Sequence, residues 1–103
     1  FENFVASELA KQLSLLDDGK LYHFRTSDDK EVDFVIEKRS GDIAGFEVKN
    51  SASVGANDFR GLKFLQSVVQ EKFIRGIVLY RGKKILPFGE NLFAIPVDLI
   101  WSS

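Results

Sequence analysis

Asp33, Glu47 and Lys49 bring together two carboxylates and an ammonium group. That set can hold a divalent cation and meet the negative charge of a phosphate. All three fall inside stretches that otherwise read as β-strands, EVDFVIEK (31–38) and IAGFEVK (43–49). Charges within a core strand are costly to bury unless they are paired or used.

The link between the two strands is RSG (39–41), a three-residue hairpin loop with Gly41 at the left-handed position. This loop sets Lys38 opposite Asp42, then pairs Ile36 with Ala44, Phe34 with Phe46 and Val32 with Val48. One face of the hairpin is then wholly apolar, and a slip of one residue would spoil it. On the other face Asp33 stands directly across from Glu47, with Lys49 two residues further on. Facing carboxylates repel unless a proton or a cation lies between them. Mg²⁺, which commonly uses one or two carboxylates and fills its shell with water and phosphate oxygens, satisfies the pair.

The elements that must position these groups follow from periodicity. Phe1, Phe4, Val5, Leu9, Leu13 and Leu16 mark one face of an opening helix over residues 1–16, with Glu2 inside the apolar arc and Glu8 at its edge. DDGK stops that helix, LYHFRT (21–26) reads as a first strand, and SDDK is a turn. After the loop SASVGAND, Phe59, Leu62, Leu65, Val68 and Val69 outline a second amphipathic helix. FIRGIVLY (73–80) is a continuous apolar strand of the kind buried on both faces. RGKK (81–84) turns the chain, ILPF (85–88) makes a short further strand, and NLFAIPVDLIW closes against the core. The order is α-β-β-β-α-β, an α/β (α+β) fold with a mixed central sheet flanked by helices.

Composition narrows the function classes. With 103 residues, 45% of them hydrophobic and ten of them phenylalanine, the chain suits one globular domain with a substantial core. The absence of cysteine excludes a disulfide framework, a thiolate metal site and a cysteine nucleophile, and fits a cytoplasmic setting. No apolar run is long enough to cross a bilayer. The formal charge of −1 gives no global basic field, so contact with nucleic acid must rest on local clusters. The chain opens on FENF within a helical pattern and has no methionine, which reads as a domain of a longer protein. Nothing matches a phosphate-binding P-loop, so no ATP site is expected in these residues.

Glu2, Asp33 and Glu47-Val48-Lys49, in this order on helix, second strand and third strand, resemble the PD-(D/E)XK nuclease superfamily. The predicted element order matches that superfamily's restriction-endonuclease-like αβββαβ core. ENFVASEL, FRT, EVDFVIE, FEVKNS and AIPVDLIW further resemble the domain of unknown function that follows the ATPase module in a group of predicted AAA+ ATPases. The resemblance covers nearly the whole chain. It implies that Asp33 and Glu47 bind Mg²⁺ or Mn²⁺, that Lys49 is the catalytic lysine, and that Glu2 is an accessory carboxylate. It implies DNA phosphodiesters as substrate and an N-terminal ATPase module as partner in the full-length chain. Arg25 resembles an arginine kept by the Holliday-junction-resolvase branch and is a candidate phosphate contact. Lys63 and Gln66 lie where some members add a polar catalytic side chain. Two positions depart from the pattern: Val32 replaces the motif proline, and the chain is slightly acidic where DNA-cutting relatives are often basic.

Plainer readings stand beside these. Glu2 suits a helix N-terminus on dipole grounds alone. Glu31 falls opposite Lys49 in the expected register, as an ordinary cross-strand ion pair would. Arg25 suits a surface residue, and His23, flanked by aromatics with no second histidine in the chain, is assigned nothing. Arg81, Lys83 and Lys84 form a basic turn able to touch phosphates. The expected function is a metal-dependent nuclease-fold domain acting on DNA. The alternative is a non-catalytic nuclease-fold domain that binds nucleic acid or a protein partner and is coupled to the ATPase. A third is a structural domain whose motif is idle.

Overall fold

The computed structural model describes residues 20–25 and 31–101. The expected opening helix, with Glu2, lies outside the described residues.

Among the described residues six strands form one mixed sheet: β1 (Lys20–Arg25), β2 (Glu31–Glu37), β3 (Ile43–Val48), β4 (Phe73–Tyr80), β5 (Leu86–Gly89) and β6 (Leu92–Pro96). Their spatial order is β1-β2-β3-β4-β6-β5. β1, β2 and β3 pair antiparallel, β3–β4 and β4–β6 pair parallel, and β5 returns antiparallel at the edge. β4 therefore lies between two parallel neighbours, which is why FIRGIVLY lacks a polar alternation. Helix α1 (Arg60–Val69) makes the crossover from β3 to β4, and a single turn, α2 (Asp98–Trp101), follows β6. Among the described residues no helix is long and apolar enough to cross a membrane.

The β2–β3 hairpin has the expected turn. Gly41 has φ +95°, its N–H donates to the Lys38 carbonyl at 2.9 Å, and Lys38 N–H donates to the Asp42 carbonyl at 2.8 Å. Ile36–Ala44 and Phe34–Phe46 are paired as the loop length requires.

α1 packs on β2, β3 and β4 through Leu62 and Leu65, and Phe59 just before it joins the same cluster with Val32, Val35, Val78, Tyr80, Leu92 and Ala94. Burying each large apolar side chain of that set contributes about 1.5–3 kcal/mol. The helix can come this close because β3 carries Gly45 beneath it. A Cβ there would lie 2.6 Å from Leu62 Cδ2 and 3.1 Å from Leu65 Cδ2. The opposite sheet face carries a second cluster of Ile36, Phe46, Val48, Leu79 and Val97.

Two expectations are corrected here. NLFAIPVDLIW is not just a closing segment, since Leu92–Pro96 is a strand inserted beside β4 and inside β5. Val32 does not share a face with Val48, because it joins the cluster under α1 whereas Val48 joins the other. The cause lies in β2. Tyr22 pairs with Val35 and Phe24 with Val32, so β2 advances three residues while β1 advances two. The extra residue is a β-bulge, which reverses the facing of the strand beyond it and re-aims nearby side chains.

Candidate functional site

The bulge bears directly on Asp33. Regular pairing of β2 with β3 runs as far as Phe34–Phe46. At the next position the Val48 N–H donates to Asp33 Oδ2 at 2.8 Å. A side-chain carboxylate takes the place of a ladder carbonyl, and Asp33 is held beside the backbone that joins Glu47 to Lys49. The expected arrangement, Asp33 squarely opposite Glu47 in a continuing ladder, is replaced by one in which Asp33 reaches across to the end of β3. Asp33 and Glu47 are both partly buried.

Glu47 alternates with Gly45 and so belongs to the face that α1 covers, next to Val78 in the parallel pair. Lys49 follows on the same side. Its N–H continues the sheet by donating to the Leu79 carbonyl at 2.8 Å. Its ammonium, on a side chain 34% exposed, contacts Asp58 Oδ2 at 2.7 Å. The plain reading that pairs Lys49 with Glu31 rests on a side chain that lies outside the described residues.

Asp58 is the site residue that sequence reasoning missed. It sits in the 3₁₀ turn Ala56–Phe59, which runs straight into α1. The Gly55 N–H donates to Asp58 Oδ2 at 2.8 Å, and the Asp58 N–H donates to the Gly55 carbonyl at 3.0 Å. Burial acts to raise the Asp58 pKa, but the hydrogen bond from Lys49, the one from Gly55 and the Lys49 charge outweigh it. The carboxyl is held below its ordinary value. In sequence, AND before an amphipathic run looks like any acidic helix start. The available signal was topological: a crossover from β3 through α1 to a parallel neighbour starts its helix near the end of β3, where Lys49 lies.

Lys49 and the loop after β4 both lie at the carboxyl ends of parallel strands, where open α/β sheets place their ligands. That loop, Arg81 to Lys84, is firmly seated. The Arg81 N–H donates to the Ser51 carbonyl at 2.8 Å, and Arg81 Nη1 donates to Asn50 Oδ1 at 3.1 Å. Tyr80 OH donates to the Lys84 carbonyl, and the Tyr80 ring lies so close to Gly82 that a Cβ there would be 2.2 Å from it. Lys83 and Lys84 are exposed on this anchored loop. Arg60 and Lys63 are exposed three residues apart on α1.

One candidate, Gln66, falls elsewhere. Gln66 Nε2 donates to the Glu90 carbonyl at 3.2 Å, tacking α1 to the β5–β6 turn and away from Lys49. Arg25 ends β1 opposite Glu31 in the backbone pairing, and its side chain lies outside the described residues, as does Glu2. An open cleft of about 400 Å³, lined by Lys20, Glu37, Lys38, Arg39 and Gly41, lies at the far, hairpin end of β2 and includes none of the candidate residues. Among the described residues no group of three or more His, Cys, Asp or Glu side chains is placed to hold a metal. Asp33 and Glu47 supply two hard oxygen donors, a set that fits Mg²⁺ or Mn²⁺ because Mg²⁺ sites commonly use one or two carboxylates.

The uncharacterized protein Mb2031c of Mycobacterium bovis is 31% identical over 100 residues, covering 97% of this chain and 21% of the relative. The uncharacterized protein Rv2008c of Mycobacterium tuberculosis matches with the same figures. The chain thus spans about a fifth of the length of the curated relatives it matches. No solved structure matches it. The family model described as Domain of unknown function (DUF4143) matches residues 1–100, and the chain belongs to that family.

Proposed function

We propose that this domain is a metal-dependent, PD-(D/E)XK-type nuclease domain with a restriction-endonuclease-like core, acting on DNA phosphodiesters in the cytoplasm. The observation that carries the reading is the hydrogen bond from the Val48 N–H to Asp33 Oδ2, which brings the aspartate to the Glu47–Lys49 end of β3. In this reading Asp33 and Glu47 hold Mg²⁺ or Mn²⁺, with Glu2 as accessory carboxylate. The ion would supply polarisation of a phosphoryl oxygen and a lowered pKa for bound water. Lys49 meets the negative charge that develops on the phosphate. The anchored loop of Arg81, Lys83 and Lys84 takes the neighbouring backbone phosphates, with Lys63 and Arg25 as further contacts.

A second reading keeps the fold and drops the cutting: a domain that binds nucleic acid or a protein partner and reports to an ATPase module in a longer chain. It is favoured by the length of the mycobacterial relatives, of which this domain covers only 21%.

Binding of double-stranded DNA at varied salt tests the phosphate-contacting surface common to the nuclease reading and to nucleic-acid binding. Substituting both Lys83 and Lys84 by alanine is expected to weaken affinity about equally on unrelated sequences. The slope of log affinity against log salt should also become shallower by about 2. An unchanged slope would remove the β4–β5 loop from the DNA-binding surface.

A further inference from the structure

Lys49 extends a flexible four-carbon stem from the end of β3, and a lysine that works on a phosphate must be kept near one geometry. We propose that Asp58 is the positioning residue for Lys49, holding the ammonium group at the Asp33–Glu47 end of the sheet. The assignment rests on the reading of Lys49 as the catalytic lysine.

The contact is close, with Nζ to Oδ2 at 2.7 Å. The Asp58 carboxylate is itself fixed, because the same Oδ2 accepts the Gly55 N–H and the two residues also share a backbone hydrogen bond. The next residue, Phe59, is fully buried, and its ring stacks on Phe88 with centroids 4.7 Å apart. The core therefore places Asp58, and Asp58 places Lys49. An ion pair whose side chains are 34% and 26% exposed adds little to stability, so its main consequence is geometric. The same partial exposure leaves the ammonium within reach of an incoming phosphate.

The test uses the chain labelled with ¹³C at lysine Cε, together with Mn²⁺-dependent cleavage of plasmid DNA. In Asp58→Asn, the Lys49 ε-methylene is expected to pass from ordered to mobile in NMR relaxation. Cleavage should fall by about 10- to 100-fold, the scale expected when a catalytic group is misplaced by about an ångström. Mn²⁺ affinity should stay unchanged. Asp58→Asn should cause no further loss in a Lys49→Ala background, because Asp58 acts through Lys49. Asp58→Glu keeps the charge one methylene further out and should fall between native and Asp58→Asn in both readouts; it serves as the working variant if the asparagine form does not fold. A Lys49 methylene equally ordered in native and variant chains would overturn the proposal, as would an equal further loss of cleavage in the Lys49→Ala background. If the native chain cleaves nothing, the nuclease reading fails, and the methylene mobility alone then decides whether Asp58 positions Lys49.

Discussion

Lys49→Ala is expected to lower Mn²⁺-dependent DNA cleavage by about 10²–10³-fold, the usual effect of deleting one group that stabilises transition-state charge. The lysine is a cation and supplies no ligand to a metal, so Mn²⁺ binding should survive the substitution. The affected step is the one in which negative charge grows on the phosphate. Stability should change little, since the lost partner is a partly exposed ion pair with Asp58. Single-turnover cleavage, with thermal melting as control, separates these effects. Cleavage within about threefold of native would mean that another cation, such as one on the Arg81–Lys84 loop, performs this role (a factor of three is under 1 kcal/mol).

Phe59→Ala is expected to destabilise the domain by about 3–5 kcal/mol, a large share of the roughly 5–15 kcal/mol typical of native domains. Phe59 is fully buried, packs with Leu62 and Leu65, and stacks on Phe88 of the edge strand β5. Truncation leaves a cavity between helix and sheet that Leu62, itself fully buried, has little freedom to fill. Urea unfolding followed by tryptophan fluorescence should show an earlier midpoint with an unchanged slope. A loss below about 1 kcal/mol would mean that this cluster collapses to fill the space and does not rigidly seat the start of α1.

Much of this fold can be read from side-chain periodicity. The hairpin follows from Gly41 and the alternation on either side of RSG, and β4 from its unbroken apolar run. β6 was hidden because Asn91 and Pro96 bracket a stretch whose parallel partner, β4, is distant in sequence. A parallel strand leaves no hairpin signal of its own. The bulge in β2 was equally silent, because EVDFVIE alternates well enough for a regular strand. The extra residue shows only in the pairing with β1. The candidate residues Asp33, Glu47 and Lys49 could be picked out by their types in otherwise apolar strands. Their geometry could not: it depends on the bulge that turns Asp33 toward Val48. Asp58 stayed hidden for a related reason, since its link to Lys49 arises from the return of α1 to the end of β3.

The most direct test is a calorimetric titration of Mn²⁺ into the native chain and into Asp33→Ala and Glu47→Ala. Binding to the native chain that disappears in both variants, with each variant still folded by circular dichroism, is the result predicted here. A folded native chain that takes up no Mn²⁺, or binding that persists in both variants, would contradict a metal site built on Asp33 and Glu47.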